Sequence, residues 1–255
     1  MGYFSTMTDG LTEAPALRFM HVAKRYGNSS ALVDFSLDVA PGEFFGLVGV
    51  NGAGKTTLLK CLLDFCSIDA GAIEIFGVPH RRTRSRSRLA FLPERFSPPY
   101  YLTGRDFLRY MARLHGYPYD EEATRRVFEG LDLEIAALDK AARSYSKGMT
   151  QKLGLAACLL SAKDLQILDE PASGLDPKAR ALFKRQVAGL RNGQRTVFFS
   201  SHALDDVEQL CDRLGVVHEG RLRFVGAPAD FKRAYGGTPD LEQAFLACIA
   251  EPTAA

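Results

Sequence analysis

The chain has 255 residues, 46% of them hydrophobic and 24% charged, with 32 Lys and Arg against 30 Asp and Glu for a net charge of +2. That length accommodates one α/β domain with a full core, or one domain and a small lobe. The near-balanced charge excludes an electrostatic mandate for nucleic-acid binding, and no apolar run is long enough to cross a bilayer.

The first fifteen residues, MGYFSTMTDGLTEAP, are polar and lack the apolar core of a signal peptide. Met1-Gly2 with Thr6 matches a myristoylation pattern, but a disordered, frayed tail over residues 1–15 is the preferred reading. Apolar runs bounded by turn residues then predict strands over residues 17–22, 35–39, 44–48, 73–76 and 89–92. The early ones are closely spaced and punctuated by Pro41-Gly42, which suits an antiparallel layer beside a parallel core.

Between the strand at 44–48 and the apolar run 58–63 lies GVNGAGKTT, residues 49–57, an instance of G-x-x-x-x-G-K-[ST] in a strand, turn, helix context. Glycines let successive N–H groups turn inward towards a polyphosphate, and the following helix adds partial positive charge at its N-terminus. Gly49, Asn51, Gly52, Ala53, Gly54, Lys55, Thr56 and Thr57 are therefore candidate nucleotide-binding residues. Lys55 is placed to reach the β- and γ-phosphates and the Thr56 hydroxyl to ligate Mg²⁺.

Arg81, Arg82, Arg84, Arg86 and Arg88 form a basic run interleaved with Ser and Thr. No aromatic residue sits within it to stack bases, so it reads as a solvated turn and short helix rather than a nucleic-acid patch. Helical spacing dominates residues 105–115, 121–131 and 149–160 with no strand between them, predicting a helical lobe inserted into the α/β core. Residues 163–170, KDLQILDE, form an apolar strand (165–168) that delivers Asp169 and Glu170 at its C-terminal end, where open parallel sheets bind ligands. Adjacent carboxylates repel. A Mg²⁺-bound nucleoside triphosphate supplies the missing cation, with Asp169 in the metal shell and Glu170 facing the attacking water. Taken alone, the same segment also reads as a strand ending in a solvated acidic turn.

The run TVFFSSH, residues 196–202, is a second apolar strand (196–200) ending in His202, ahead of a helix opening at Leu204. His202 is placed to bond a γ-phosphate or orient water, although a lone histidine after a strand also serves as a structural or surface residue. Strands at 214–217 and 222–225 and an amphipathic helix over 240–250 complete the chain. The five cysteines form no C-x-x-C pair and lie in apolar, helix-like surroundings. They read as buried free thiols rather than a metal site or disulfide framework.

With these residues assembled, the chain resembles the nucleotide-binding subunit of ATP-binding cassette (ABC) transporters, from about Leu17 to Leu246. GVNGAGKTT resembles the family's Walker A motif and LQILDE its Walker B with the catalytic glutamate. ASGLD, residues 172–176, resembles the D-loop and makes Asp176 a dimer contact, while His202 takes the switch-histidine position. Tyr26, in KRYG, matches the aromatic that stacks on adenine; by itself it reads as a core or edge tyrosine. YSKGM, residues 145–149, sits at the LSGGQ signature and adds Ser146, Lys147 and Gly148 to the nucleotide-binding set. Ser146 is a good helix N-cap and Gly148 lets N–H groups approach an anion. Lys147 and Met149 depart from the pattern, and Lys147 either adds charge near a γ-phosphate or points to solvent.

Glu94 stands where the family's Q-loop usually has glutamine. It keeps an oxygen for Mg²⁺ or water, loses the amide donor and adds a charge. Together with YSKGM, the following Gln151-Lys152 and the terminal LEQAFL, it resembles the branch that pairs with multi-span exporters. After Glu94, Pro98-Pro99 and the rings of Phe96, Tyr100 and Tyr101 predict an irregular surface for a short helix of a membrane partner.

The resemblance implies an α/β fold: a P-loop NTPase core with an antiparallel β layer and an inserted helical lobe. It implies one domain over 16–250, with the core at 16–93 and 161–236, the lobe at 94–160 and a C-terminal helix at 240–250. It further implies an ATPase that uses ATP and Mg²⁺ in a head-to-tail dimer with a second copy or a related ATPase subunit. Each Walker loop would meet the other chain's Ser146–Gly148 segment. The implied partner is an integral membrane transporter subunit, with no nucleic acid, and the implied place is the cytoplasmic face of the cell membrane. The alternative is a soluble ABC ATPase of an assembly or repair system without transport. A non-ABC P-loop enzyme does not explain ASGLD and YSKGM together.

Overall fold

The computed structural model describes residues 14–191, 195–235, 237 and 240–251. Apart from Ala14 and Pro15, the tail expected at residues 1–15 lies outside the described residues.

Two sheets organise the chain. In the first, β1 (Leu17–Tyr26) and β2 (Ser29–Val39) form an antiparallel hairpin, and β4 (Ala70–Ile75) with the short β5 (Val78–Pro79) completes the order β2-β1-β4-β5. Both hairpin strands run further than their apolar residues. The register slips between Phe19 and Val22, where His21 takes a left-handed φ of 49°, and pairing then continues through Arg25 and Tyr26. Backbone ladders need N–H and C=O groups rather than apolar side chains, so a bulged, polar strand end leaves little periodic signal.

The second sheet has the order β10-β9-β3-β8-β7-β6. Here β3 (Phe44–Val48), β6 (Leu89–Leu92), β7 (Leu165–Asp169), β8 (Thr196–Ser201) and β9 (Arg213–His218) pair in parallel, and β10 (Arg221–Gly226) closes one edge antiparallel. All residues of β3, β7 and β8 are buried, as expected of a parallel sheet covered on both faces. Adjacent parallel strands end side by side, so β3, β7 and β8 deliver Gly49, Glu170 and His202 to one edge of the sheet.

The helix α1 (Lys55–Leu62) follows β3. The arginine run forms a turn and a four-residue helix, α2 (Thr83–Arg86). Arg86 donates to the His80 carbonyl at 2.6 Å, and Arg88 lies 3.6 Å from the Phe76 ring centre while bonding Asp164 at 2.6 Å. Between β6 and β7 come α3 (Gly104–His115), α4 (Glu121–Gly130), two 3-10 turns and α5 (Lys147–Leu160). Thr103 and Asp120 cap α3 and α4 by accepting the N–H groups of Asp106 and Ala123.

One further helix, α6 (Pro177–Ala188), has only Ala179, Phe183 and Val187 buried among charged residues. That apolar stripe is too narrow for an expectation from periodicity, but Asp176 at its N-cap followed by Pro177 is a local start signal. The helices α7 (Leu204–Leu210), α8 (Pro228–Ala234) and α9 (Leu241–Ala250) end the chain. Among the described residues no helix is long and apolar enough to cross a membrane.

Two apolar clusters sandwich the parallel sheet, one beneath the antiparallel layer and one towards the helical lobe. Phe198 on β8 is fully buried, stacks on Phe45 at 5.7 Å between ring centres and meets Phe19 of the other sheet at 6.3 Å. Phe198→Ala removes this bridge between sheets, and urea unfolding is expected to read a loss of about 3–5 kcal/mol. A loss below about 1 kcal/mol would mean that the layers do not depend on it.

Candidate nucleotide-binding site

The loop after β3 wraps around a cavity of about 280 Å³. Gly54 has a φ of 113°, and a Cβ there would lie 2.6 Å from the Ala31 carbonyl oxygen, so only glycine fits the turn into α1. Lys55 opens that helix, and its buried ammonium group donates to the carbonyls of Gly49 at 2.5 Å and Val50 at 3.3 Å. Burial lowers the Lys55 pKa, and the carboxylates of Glu170, Asp169 and Glu94 oppose that shift. The ammonium is thus held by neutral acceptors, and the acidic groups offset only part of the cost of burying it.

On the other side of the cavity, Glu170 leaves β7 with a left-handed φ of 47°. Such a conformation costs a non-glycine residue roughly 1–3 kcal/mol. It is held by the Glu170 N–H, which donates to the Ser200 carbonyl at 3.2 Å and the Ser200 hydroxyl at 3.1 Å. The Glu170 carboxylate lies 12% exposed between two partners: His202 Nδ1 at 2.7 Å from Oε2 and Lys55 Nζ at 4.0 Å from Oε1. The carboxylate is thus held at the cavity wall between a histidine and the loop lysine.

Asp169 is buried, and the Ser200 hydroxyl donates to its Oδ1 at 2.5 Å. Burial raises the Asp169 pKa, the Ser200 bond lowers it, and the nearby charges of Glu94 and Glu170 raise it again. Thr56, Glu94 and Asp169 border one groove beside the cavity. Among the described residues no three His, Cys, Asp or Glu side chains converge as a cation cage. The donors nevertheless fit Mg²⁺, which needs only one or two carboxylates when phosphates and water complete its shell. A cation there also offsets the burial and the neighbouring Glu94 and Glu170 charges that push Asp169 upward.

The structure therefore gathers Asn51, Gly52, Ala53, Gly54, Lys55, Thr56, Thr57, Glu94, Glu170 and His202 around one cavity, with Gly49 bonded to Lys55 beneath it. Tyr26 stands outside this lining. It is half exposed beside Thr57, and its hydroxyl donates to Cys66 Sγ at 3.6 Å. Ser146, Lys147, Gly148 and Asp176 also lie apart from it. Ser146 caps α5 by accepting the Met149 N–H at 3.2 Å, and a Cβ added at Gly148 would meet no atom within 4 Å. Lys147 lies back over the 172–176 loop, where a Cβ on Gly174 would come within 2.9 Å of its Cε. Asp176 caps α6 through the Ala179 N–H at 2.8 Å.

Sequence reading missed Ser200, which joins Asp169 to the Glu170 backbone, and Gln151, which donates from α5 to the Pro171 carbonyl at 3.2 Å. No spacing rule marks Ser200, because its role depends on the Asp169–Ser200 register of β7 with β8.

The family model described as ABC transporter matches residues 32–173. A Nod factor export ATP-binding protein I of Burkholderia pseudomallei is 37% identical over 250 residues, covering 92% of this chain and 81% of that protein. An uncharacterized ABC transporter ATP-binding protein of Synechocystis is 39% identical over 204 residues, and one of Nostoc is 42% identical over 199. These matches cover 57% and 58% of the two cyanobacterial proteins, respectively. Among solved structures, an ATP-binding subunit of an ABC transporter superposes with a TM-score of 0.83 at 28% identity, covering 91% of this chain and 99% of that one. A bacterial Atm1-family ABC exporter with ATP bound, 22% identical with a TM-score of 0.78, shares the fold over 94% of this chain and 43% of its own length. The P-loop cavity and the α/β fold thus agree with the matched family, and the chain belongs to the ABC transporter ATP-binding proteins, a family of ATPases.

Proposed function

We propose that this chain is the ATP-hydrolysing subunit of a membrane exporter, working at the cytoplasmic face of the cell membrane as a head-to-tail dimer. The observation that carries the reading is the Glu170 carboxylate, set between His202 and Lys55 at the wall of the P-loop cavity. When ATP enters, Lys55 exchanges the Gly49 and Val50 carbonyls for the β- and γ-phosphate oxygens, a swap of neutral for charged acceptors. Thr56, Asp169 and Glu94 are the residues that would hold Mg²⁺, which would supply positive charge to offset that of the phosphates. Glu170 accepts the proton of the attacking water at its carboxylate, and His202 fixes the orientation of that carboxylate while facing the γ-phosphate. Tyr26 stacks on adenine from outside the phosphate cavity.

Ser146, Lys147 and Gly148 serve the site of the opposite chain. Their distance from their own cavity and the open space at Gly148 support this division of labour. Closing the dimer excludes water and completes the donors around the transferring phosphoryl group. Export is supported by the similarity to proteins named for Nod factor export.

Glu94 borders both the nucleotide cavity and the adjacent groove, which suits a role in coupling ATP to the membrane partner. Beyond it, Tyr100 and Tyr101 are each 68% exposed and meet edge to face at 5.4 Å. Two exposed rings after a proline pair suit packing against a short helix. Replacing both tyrosines with Ala is expected to leave ATPase activity of the isolated subunit within about twofold and to weaken capture of the membrane protein tenfold or more, the loss of about 1.4 kcal/mol. Pull-down from detergent extracts tests this and the function together. Recovery of a soluble assembly complex in place of a multi-span protein would overturn the transporter reading.

A further inference from the structure

The chain leaves α1 at Leu62 and turns back at once: the N–H groups of Phe65 and Cys66 both reach the Lys60 carbonyl, at 2.8 and 3.3 Å. That turn sets the Sγ atoms of Cys61 and Cys66 3.5 Å apart. Cys61 is fully buried on α1, whereas Cys66 is half-buried and accepts the Tyr26 hydroxyl at 3.6 Å. The other three cysteines are buried. Tyr26 in turn lies beside Thr57 of the phosphate loop.

We propose that Cys61 and Cys66 are a reversible oxidation site whose closure to a disulfide loosens Tyr26 and weakens adenine-nucleotide binding. The effect on the nucleotide rests on the reading of Tyr26 as the adenine platform. A disulfide needs its sulfurs about 2.05 Å apart, so closure requires an approach of roughly 1.5 Å. Closure shifts one or both sulfurs, and Cys66 Sγ is the acceptor that now holds the Tyr26 hydroxyl.

The oxidant is a low-molecular-weight disulfide, RSSR. Cys66, the more accessible thiol, loses its proton and its sulfur attacks RSSR, releasing one RS⁻ and forming a mixed disulfide. Cys61 then loses its proton, and its sulfur attacks that of Cys66 and displaces the second RS⁻. The two protons complete two RSH, so two thiols are oxidised and one RSSR is reduced. The order of events follows from the environments: burial, then the contact with Cys66, pushes the Cys61 thiol up to about 12, which keeps it protonated until its neighbour has reacted.

The test treats the full chain with oxidised glutathione and then reads peptide mass and ligand affinity. The peptide spanning both cysteines is expected to lose about 2 Da without an adduct. ATP affinity should fall about threefold to tenfold, the scale of a weakened base–aromatic stack, while tripolyphosphate affinity stays within about twofold. Dithiothreitol should restore ATP binding, and Cys66→Ser should not respond to oxidant. Free thiols, or a mixed disulfide that never closes, would overturn the site. Closure with unchanged ATP affinity, in a protein where Tyr26→Ala does weaken ATP, would overturn the link to Tyr26. If Tyr26→Ala itself has no effect on ATP, the adenine platform fails and with it the effect on the nucleotide, while the mass change still decides the disulfide.

Discussion

Lys55→Ala is expected to weaken ATP binding by about 100-fold or more in equilibrium dialysis. Hydrogen bonds to charged groups contribute about 1.5–3 kcal/mol each, and two phosphates lose their cation together. The free protein already shows why the loss is large. The ammonium is buried, hydrogen-bonded to the neutral carbonyls of Gly49 and Val50, 4.0 Å from the Glu170 carboxylate, and near Asp169 and Glu94. Without it, those carboxylates repel both one another and the incoming triphosphate. Circular-dichroism melting of the variant separates lost binding from lost folding. ATP affinity within twofold of wild type in a folded variant would falsify the phosphate-cradle reading.

For Glu170→Gln we expect phosphate release to slow by about 10²–10⁴-fold while Mg·ATP still binds. The amide keeps the size of the side chain and a hydrogen-bond acceptor for His202, but has no basic oxygen to take a proton from water. It also removes one of the charges that favour protonated Lys55, a loss that the triphosphate makes good when it binds. With hydrolysis stopped and binding intact, an ATP-bound dimer should accumulate and elute early in size exclusion. Wild-type turnover would assign the base to another group.

Much of this site was legible because its chemistry is local. The glycine motif spans nine residues from the end of a strand into a helix, and Asp169-Glu170 stands at the end of its own strand. Such segments meet their partners wherever parallel strands end side by side, so motif and strand pattern suffice. The same holds for the capped helices of the lobe and for α9, which begins one residue after Asp240, as the amphipathic pattern predicted. The narrow stripe of α6 and the bulged ends of β1 and β2 escaped, because charged or polar side chains there carry backbone pairing without a period to mark it.

By itself, the sequence determined the α/β architecture with its antiparallel layer and helical lobe, and it located the P-loop and the acidic strand end. Short-range periodicity and glycine turns encode these directly. Only the tertiary structure decided which groups meet across distant segments. It placed Ser200 on Asp169, His202 on Glu170, the exposed Lys147 beside Gly174, and Cys61 against Cys66 beside Tyr26. The first two follow from the order and register of β7 and β8, and the last from the turn that ends α1. Strand order is set by how whole layers bury their apolar faces, and no window of neighbouring residues contains that information.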